Sequence, residues 1–198
     1  KKGVIKKTKI SDFKNVRRSG LIALKIKSED MLEWVRPSGG KDDIVLVTQF
    51  GQAIRFKEAD VRAMGRTAAG VRGIKLKSED DVIGMGVVSP ALVKKKVMEL
   101  LVVSENGLGK RTKISEYKVQ GRGGSGIKTM NVTDKTGRIM SARVINNTEP
   151  NDLLIISKNG QVVRIPLKTV STLGRATQGV RIMRFKKSGD IVAGITVL

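Results

Sequence analysis

Residues 119–132 read "VQGRGGSGIKTMNV", and two incompatible folds compete for them. Gly121-x-Gly123-x-x-Gly126 has the glycine spacing of a dinucleotide-binding loop. Such a loop must join a strand to an amphipathic helix, with an acidic residue about 20 positions further on. Here a β-like run follows instead, and the same slot recurs in the chain. It is filled by Gly65-Arg66-Thr67-Ala68-Ala69-Gly70 and by Gly174-Arg175-Ala176-Thr177-Gln178-Gly179. The shared pattern is Gly-Arg-x-x-x-Gly, then Val or Ile, then a basic residue. Gly123 lies outside it, so the cofactor match depends on one extra glycine and the stretch reads as a repeat loop. "GLGKRT" at 107–112 lacks the four-residue gap of a phosphate-binding loop and reads as a hairpin turn.

Working outward, four segments align on one glycine each: Gly3, Gly51, Gly107 and Gly160, spaced by 48, 56 and 53 residues. Before the last three anchors lie the β-rich runs "IVLVTQF", "LLVVSEN" and "LLIISKN". Asn106-Gly107 and Asn159-Gly160 suggest tight type I′ hairpins. Each unit closes on a further strand: "DVIGMGVV", "GRIMSARVI" or "GDIVAGITVL". About four short antiparallel strands at a period near 50 residues is the pattern of a propeller-like blade. The expectation is one all-β repeat domain over 1–198, with an incomplete blade at about 1–40 and blades at 41–96, 97–150 and 151–198. The first repeat lacks its leading strand, which suggests more sequence upstream. "ALVKKKVMELL" could be a helix, but the repeat register favours a strand from about Val97, with 89–96 an exposed basic loop.

Charge narrows the function. Lys and Arg number 39 against 18 acidic residues, a net +21 spread along the whole chain. Such a chain needs a polyanion, and nucleic acid is the expected partner. Aromatics are only 3% of residues, too few to stack unpaired bases, so the phosphates of a duplex are the target. The absence of Cys and His excludes thiolate and imidazole chemistry and Cys/His zinc sites. No metal or cofactor site is expected, and no apolar run suggests a membrane span. Asp42-Asp43 and Asp80-Asp81 read as solvated turns. Tyr117 shares its repeat position with Phe13, Val61 and Val170, so it reads as a packing residue, and Trp34 as core.

Two repeat positions are basic in all four copies. Four residues after the anchor stand Lys7, Arg55, Arg111 and Arg164; fifteen after it stand Arg18, Arg66, Arg122 and Arg175. Arg72, Lys128 and Arg181 recur in the last three repeats, and Lys110 adjoins the third hairpin. The expected interface is a curved rim of these cations, with the loop glycines Gly65, Gly70, Gly121, Gly126, Gly174 and Gly179 beside them. These glycines serve positive φ and tight packing, close approach of backbone N–H groups to phosphate, or both.

"DVRAMGRTAAGVRGIKL", "GKRTKISEYKVQGRGGSGIKT", "GRATQGVRIMRF" and "FKNVRRSGLIALKI" resemble inter-blade stretches of the DNA gyrase A C-terminal domain. The resemblance covers essentially the whole chain, as the last four of six blades. It implies a β-pinwheel that wraps duplex DNA in a positive sense around its basic edge. It also implies a parent topoisomerase in which the gyrase A core and the ATPase, gyrase B, introduce negative supercoils, with ATP and Mg²⁺ used elsewhere than in this chain. A non-catalytic, monomeric module of the bacterial cytoplasm is implied. The family's Gln-Arg-Arg-Gly-Gly-Lys-Gly box belongs to the first blade. "QGRGGSG" departs from it at Gly121 and Ser125, so it carries only an ordinary loop role with one DNA-facing Arg. The alternatives are the matching domain of topoisomerase IV, which orients DNA with little wrapping, and a propeller used as a protein-interaction platform.

Overall fold

In the computed structural model, which describes residues 1–198, each of the three larger sheets is built on an apolar run that precedes an anchor glycine. The strands are β1 (Val4–Ile5), β2 (Asp43–Thr48), β3 (Gln52–Lys57), β4 (Val71–Arg72) and β5 (Val82–Val88). They continue with β6 (Met98–Ser104), β7 (Leu108–Lys113), β8 (Ile127–Lys128), β9 (Ile139–Asn146), β10 (Asp152–Ser157), β11 (Val162–Pro166), β12 (Val180–Arg181) and β13 (Val192–Val197). A one-turn helix, α1 (Pro90–Lys94), precedes β6. The stretch 89–96 is therefore partly helical where a loop was expected. Pro90 at its first turn has no N–H to lose, and Lys96 leaves it at φ +59.

β2, β6 and β10 are the central strands, each paired antiparallel with the strand after its turn and with the closing strand of its repeat. All residues of β2 and β6 are buried, because both faces of their sheets are covered by neighbouring blades. β10 instead alternates between buried and accessible residues, as expected of an end blade covered on one face. A register shift recurs at the same place in all three sheets, at Thr48, Ser104 and Ser157.

The hairpins are not type I′. Only the glycine has positive φ, and Gly51, Gly107 and Gly160 donate their N–H to the oxygens of Thr48, Ser104 and Ser157 three residues earlier. This is a three-residue loop, a type I turn followed by a left-handed residue. The anchor needs glycine for a second reason. A Cβ on Gly51 would stand 2.5 Å from the Met130 oxygen, and one on Gly107 2.6 Å from the Met183 oxygen, both in the next repeat.

The fourth strand of each unit is also placed differently from the expectation. Each short strand after a Gly-Arg loop leaves its own repeat and pairs with the strand that follows the anchor of the preceding one. β4 pairs with β1, β8 with β3 and β12 with β7. The sheets accordingly run β1-β4, β5-β2-β3-β8, β9-β6-β7-β12 and β13-β10-β11. Two-residue strands contribute little alone; their role is to stitch the blades. Three apolar clusters fill the junctions. The first holds Ile44, Leu46, Phe56 and Val61, with Trp34 packed on it. The second holds Val45, Leu100, Ile114 and Tyr117, and the third Leu101, Leu153, Leu167 and Val170.

Candidate nucleic-acid interface

The four basic residues that follow each anchor by four positions each pair with an acid, and Arg55 and Arg111 are withdrawn from the surface. Arg55 is buried, with Nη2 and Nε at 2.6 and 2.9 Å from Asp43 Oδ2. Its Nη1 donates to the oxygens of Ile114 and Tyr117 in the next repeat. Arg111 repeats the arrangement: Nη1 stands 2.9 Å from Glu99 Oε2, while Nε and Nη2 donate to the oxygens of Val170 and Lys168. Arg164 pairs with Asp152 at 2.7 Å, and Lys7 with Glu58 at 3.4 Å. The acids follow from register. Asp43, Glu99 and Asp152 each lie diagonally across the ladder from the Arg, on the same sheet face. Arg55 and Arg111 are thus inter-blade struts, corrected from phosphate contacts, and the Lys7 ammonium is likewise engaged. Asp43 and Asp80 are buried rather than solvated; Asp80 accepts the N–H groups of Phe50 and Asp81.

Lys110 is also withdrawn from the surface. Its residue is fully buried, and Nζ donates to the oxygens of Gly174 and Arg175 and to Thr177 Oγ1, at 2.7, 2.6 and 3.0 Å. Burial lowers its pKa to about 8; Glu116 nearby raises it and Arg175 lowers it further. Lys6 holds the oxygens of Ala23 and Arg66 in the same way, two junctions earlier. At the middle junction Ile54 takes this place, under Gly124.

The other basic positions are accessible. Arg72, Lys128 and Arg181 stand on β4, β8 and β12, exposed. Each lies opposite the residue after an anchor, Val4, Gln52 or Leu108, so each occupies the same place in its blade. Arg122 donates from Nη1 to the Arg72 oxygen at 3.1 Å and from Nε to the Asp60 oxygen at 2.8 Å. Arg175 donates from Nη1 to the Lys128 oxygen at 3.1 Å, and its guanidinium lies 6.0 Å from the Tyr117 ring centre. Each Gly-Arg guanidinium is therefore held against the backbone of the basic residue one repeat earlier: Arg122 at Arg72, and Arg175 at Lys128. Arg18 and Arg66 are accessible without an ion pair. Arg62 and Lys118 were missed. They are exposed and adjoin the segments that touch Arg122 and Arg175, since Glu116 accepts the Arg175 N–H. Their signal was a basic residue at the same repeat position in three of four copies, with Lys14.

The loop glycines divide into two kinds. Gly70, Gly126 and Gly179 have φ of +90, +73 and +80, and a Cβ on them would press 2.6, 2.5 and 2.8 Å from the oxygens of Ile5, Ala53 and Gly109. These serve blade docking. Gly65 and Gly121 face open space, and Gly174 meets nothing closer than Glu116 Oε2 at 3.9 Å. Gly123 is not idle: at φ +81 it donates to the Gly73 oxygen at 2.7 Å. Tyr117 is buried, its hydroxyl 2.5 Å from Thr129 Oγ1, and burial raises its pKa to about 12.

Four segments, residues 1–38, 42–89, 99–146 and 151–198, match the family described as DNA gyrase C-terminal domain, beta-propeller. The DNA gyrase A protein of Staphylococcus epidermidis (strain ATCC 12228) is 40% identical over 184 residues, which cover 93% of this chain and 20% of that protein. Its counterpart in Staphylococcus aureus (strain MRSA252) gives the same figures. The chain thus spans about a fifth of the length of the curated relatives it matches. A solved DNA gyrase A C-terminal domain superposes with a TM-score of 0.82 at 26% identity, covering 99% of this chain and 62% of that one. The C-terminal domain of DNA topoisomerase IV shares the fold, with a TM-score of 0.88 at 23% identity over 99% of this chain and 59% of that one. The matched segments, the blade-stitching strands and the repeated Gly-Arg loops agree, and the chain belongs to the DNA gyrase C-terminal domain β-propeller family.

Proposed function

We propose that this chain binds duplex DNA along the accessible cations and bends it from blade to blade. It does so as the DNA-holding module of a gyrase A protein. The observation that carries this reading is the anchoring of Arg122 on the Arg72 oxygen and of Arg175 on the Lys128 oxygen, one oriented guanidinium per junction beside an exposed basic strand residue. Orienting each guanidinium by a backbone carbonyl leaves its remaining N–H groups for phosphate oxygens, and lowers the entropy lost on binding. Gly65, Gly121 and Gly174, with no Cβ beside the Arg, allow a phosphate to approach the loop backbone. In the parent enzyme the bent segment is presented to the gyrase A core, and the ATPase, gyrase B, drives negative supercoiling.

The rim is smaller than the sequence implied, because the struts and Lys110 are removed. Arg66, Arg72, Arg122, Lys128, Arg175 and Arg181 remain at the complete junctions. If all six engage phosphates, log K falls against log salt with a slope near −5. Fluorescence anisotropy of a labelled duplex across a salt series measures the slope, and end-to-end FRET measures the bend. Arg66, Arg122 and Arg175 replaced together by Ala should reduce the slope magnitude by about 3. An unchanged slope, or a straight duplex in the complex, rejects the reading.

A further inference from the structure

The loops that carry Arg122 and Arg175 have the same length, yet they are fixed in different ways. One bond is common to both: Lys75 N–H donates to the Gly124 oxygen at 2.9 Å, and Asn131 N–H donates to the Thr177 oxygen at 3.0 Å. The Arg122 loop adds a backbone bond from Gly123 to the Gly73 oxygen, and its guanidinium holds two carbonyls, those of Asp60 and Arg72. In the Arg175 loop Ala176 stands in place of Gly123, and the guanidinium donates to one carbonyl, that of Lys128.

A lysine supplies what this loop lacks. Lys110, on β7, donates to the oxygens of Gly174 and Arg175, the two carbonyls that flank the Arg175 Cα. Its third bond goes to Thr177 Oγ1, which itself donates to the Gly174 oxygen. Three ammonium N–H groups thus meet three acceptors, and the turn closes over one charge; a neutral amine has only two N–H groups to offer. Two charged groups act on this ammonium, Glu116 from the turn Ile114–Glu116 and Arg175 from the loop itself. At the middle junction the same repeat position holds Ile54, whose Cδ1 would lie 3.7 Å from a Cβ on Gly124. An aliphatic side chain therefore fills this slot where the guanidinium is secured by other means. Burying an ammonium is costly, and packing alone does not ask for one.

We propose that Lys110 is a positioning residue for DNA binding: its charged form closes the Gly174–Thr177 turn and so sets the Arg175 guanidinium for phosphate, a contact that loosens when Lys110 loses its proton. This rests on the duplex-binding reading above. Burial lowers the Lys110 value to about 8, so the charged form prevails below that pH and is lost above it. A phosphate held at Arg175 offsets the repulsion between the two cations and favours the ammonium, so binding at this junction takes up protons near that pH. Deprotonation frees the fold of a buried charge while it loosens the loop. Stability and DNA affinity therefore move in opposite directions as pH rises. The chain has no His or Cys to titrate in the same window.

Fluorescence anisotropy of a labelled duplex at pH 7 and about pH 9.5 tests this. Lys110→Ile brings in the side chain of the middle junction. At pH 7 it should bind about fivefold more weakly than the wild type, with a salt slope smaller by about 1. At the higher pH the two should agree within about twofold, and their comparison cancels every other titrating group. Added to Arg175→Ala, Lys110→Ile should change affinity by less than about twofold; added to Arg122→Ala, it should cost the full factor. An additive loss with Arg175→Ala overturns the proposal, because Lys110 then acts as a bulk charge. So does a wild-type advantage that persists at the higher pH. Should Lys110→Ile fail to fold, the wild type decides alone: its salt slope should shrink by about 1 between the two pH values, and an unchanged slope overturns the proposal. Wild type without salt-dependent binding at pH 7 rejects the duplex reading and this one with it, whereas binding without the pH dependence rejects this one alone.

Discussion

At the scale of single residues, equal charges do opposite work according to the partner that the ladder supplies. Arg55 and Arg122 are both recurrent arginines, but Arg55 faces a buried carboxylate and Arg122 faces solvent beside a carbonyl. Arg55→Ala leaves Asp43 buried and unpaired, so a loss of about 3–5 kcal/mol in unfolding free energy is expected in urea titrations. The salt slope of DNA binding by the folded fraction should stay the same. Arg122→Ala should reverse the pattern, with stability within about 0.5 kcal/mol and the slope smaller by about 1. Lys110 offers a pH test. Its folded value of about 8 lies below its ordinary 10.5, so between these the unfolded chain holds a proton that the folded chain has lost. Its contribution to stability therefore rises with pH across that window. Tyr117, raised to about 12, works the other way, since its contribution falls as pH climbs from 10 towards 12. Urea midpoints from pH 7 to 10 should show the rise in the wild type and lose it in Lys110→Met.

At the scale of elements, the blade is defined by exchange. A strand of two residues cannot be recognised by periodicity, yet β4, β8 and β12 decide which repeats touch. The glycine before each one enforces the contact. Gly126→Ala would place a Cβ 2.5 Å from the Ala53 oxygen at φ +73, so a loss above about 2 kcal/mol is expected in thermal unfolding. Gly121→Ala meets open space and should be neutral in the same assay, within about 0.5 kcal/mol. If phosphate approaches that backbone, Gly121→Ala should nonetheless weaken DNA binding. The two substitutions separate the structural glycine from the functional one within a single loop.

At the scale of the whole molecule, the chain is an array of blades, each stitched to the next by a short strand. Stability in such arrays is a sum of unit and junction contributions, so the ends open first. The first repeat contributes only the two-residue strand β1 to a sheet, and residues 14–38 form no strand at all. Amide hydrogen exchange should grade accordingly. It should be fastest in 14–38, intermediate in β10 and β11, and slowest in β2 and β6, the strands covered on both faces. Uniform protection across the chain would refute the array picture.

The sequence by itself determined the number of repeats, the apolar central strands, the packing role of Tyr117 and the Gly-Arg loops. These are local patterns of burial and turn chemistry, repeated often enough to be aligned. It also carries the counter-ions of the strut arginines, since Asp43, Glu99 and Asp152 recur eight residues before the anchors. Only the tertiary structure decided which cations are free, because whether a guanidinium meets water or a carboxylate depends on the neighbouring strand and the next blade. The same cause hid the strand exchange and the burial of Lys110 under the Arg175 loop. Each is a contact between repeats, and the physical chemistry of such a contact belongs to neither segment alone.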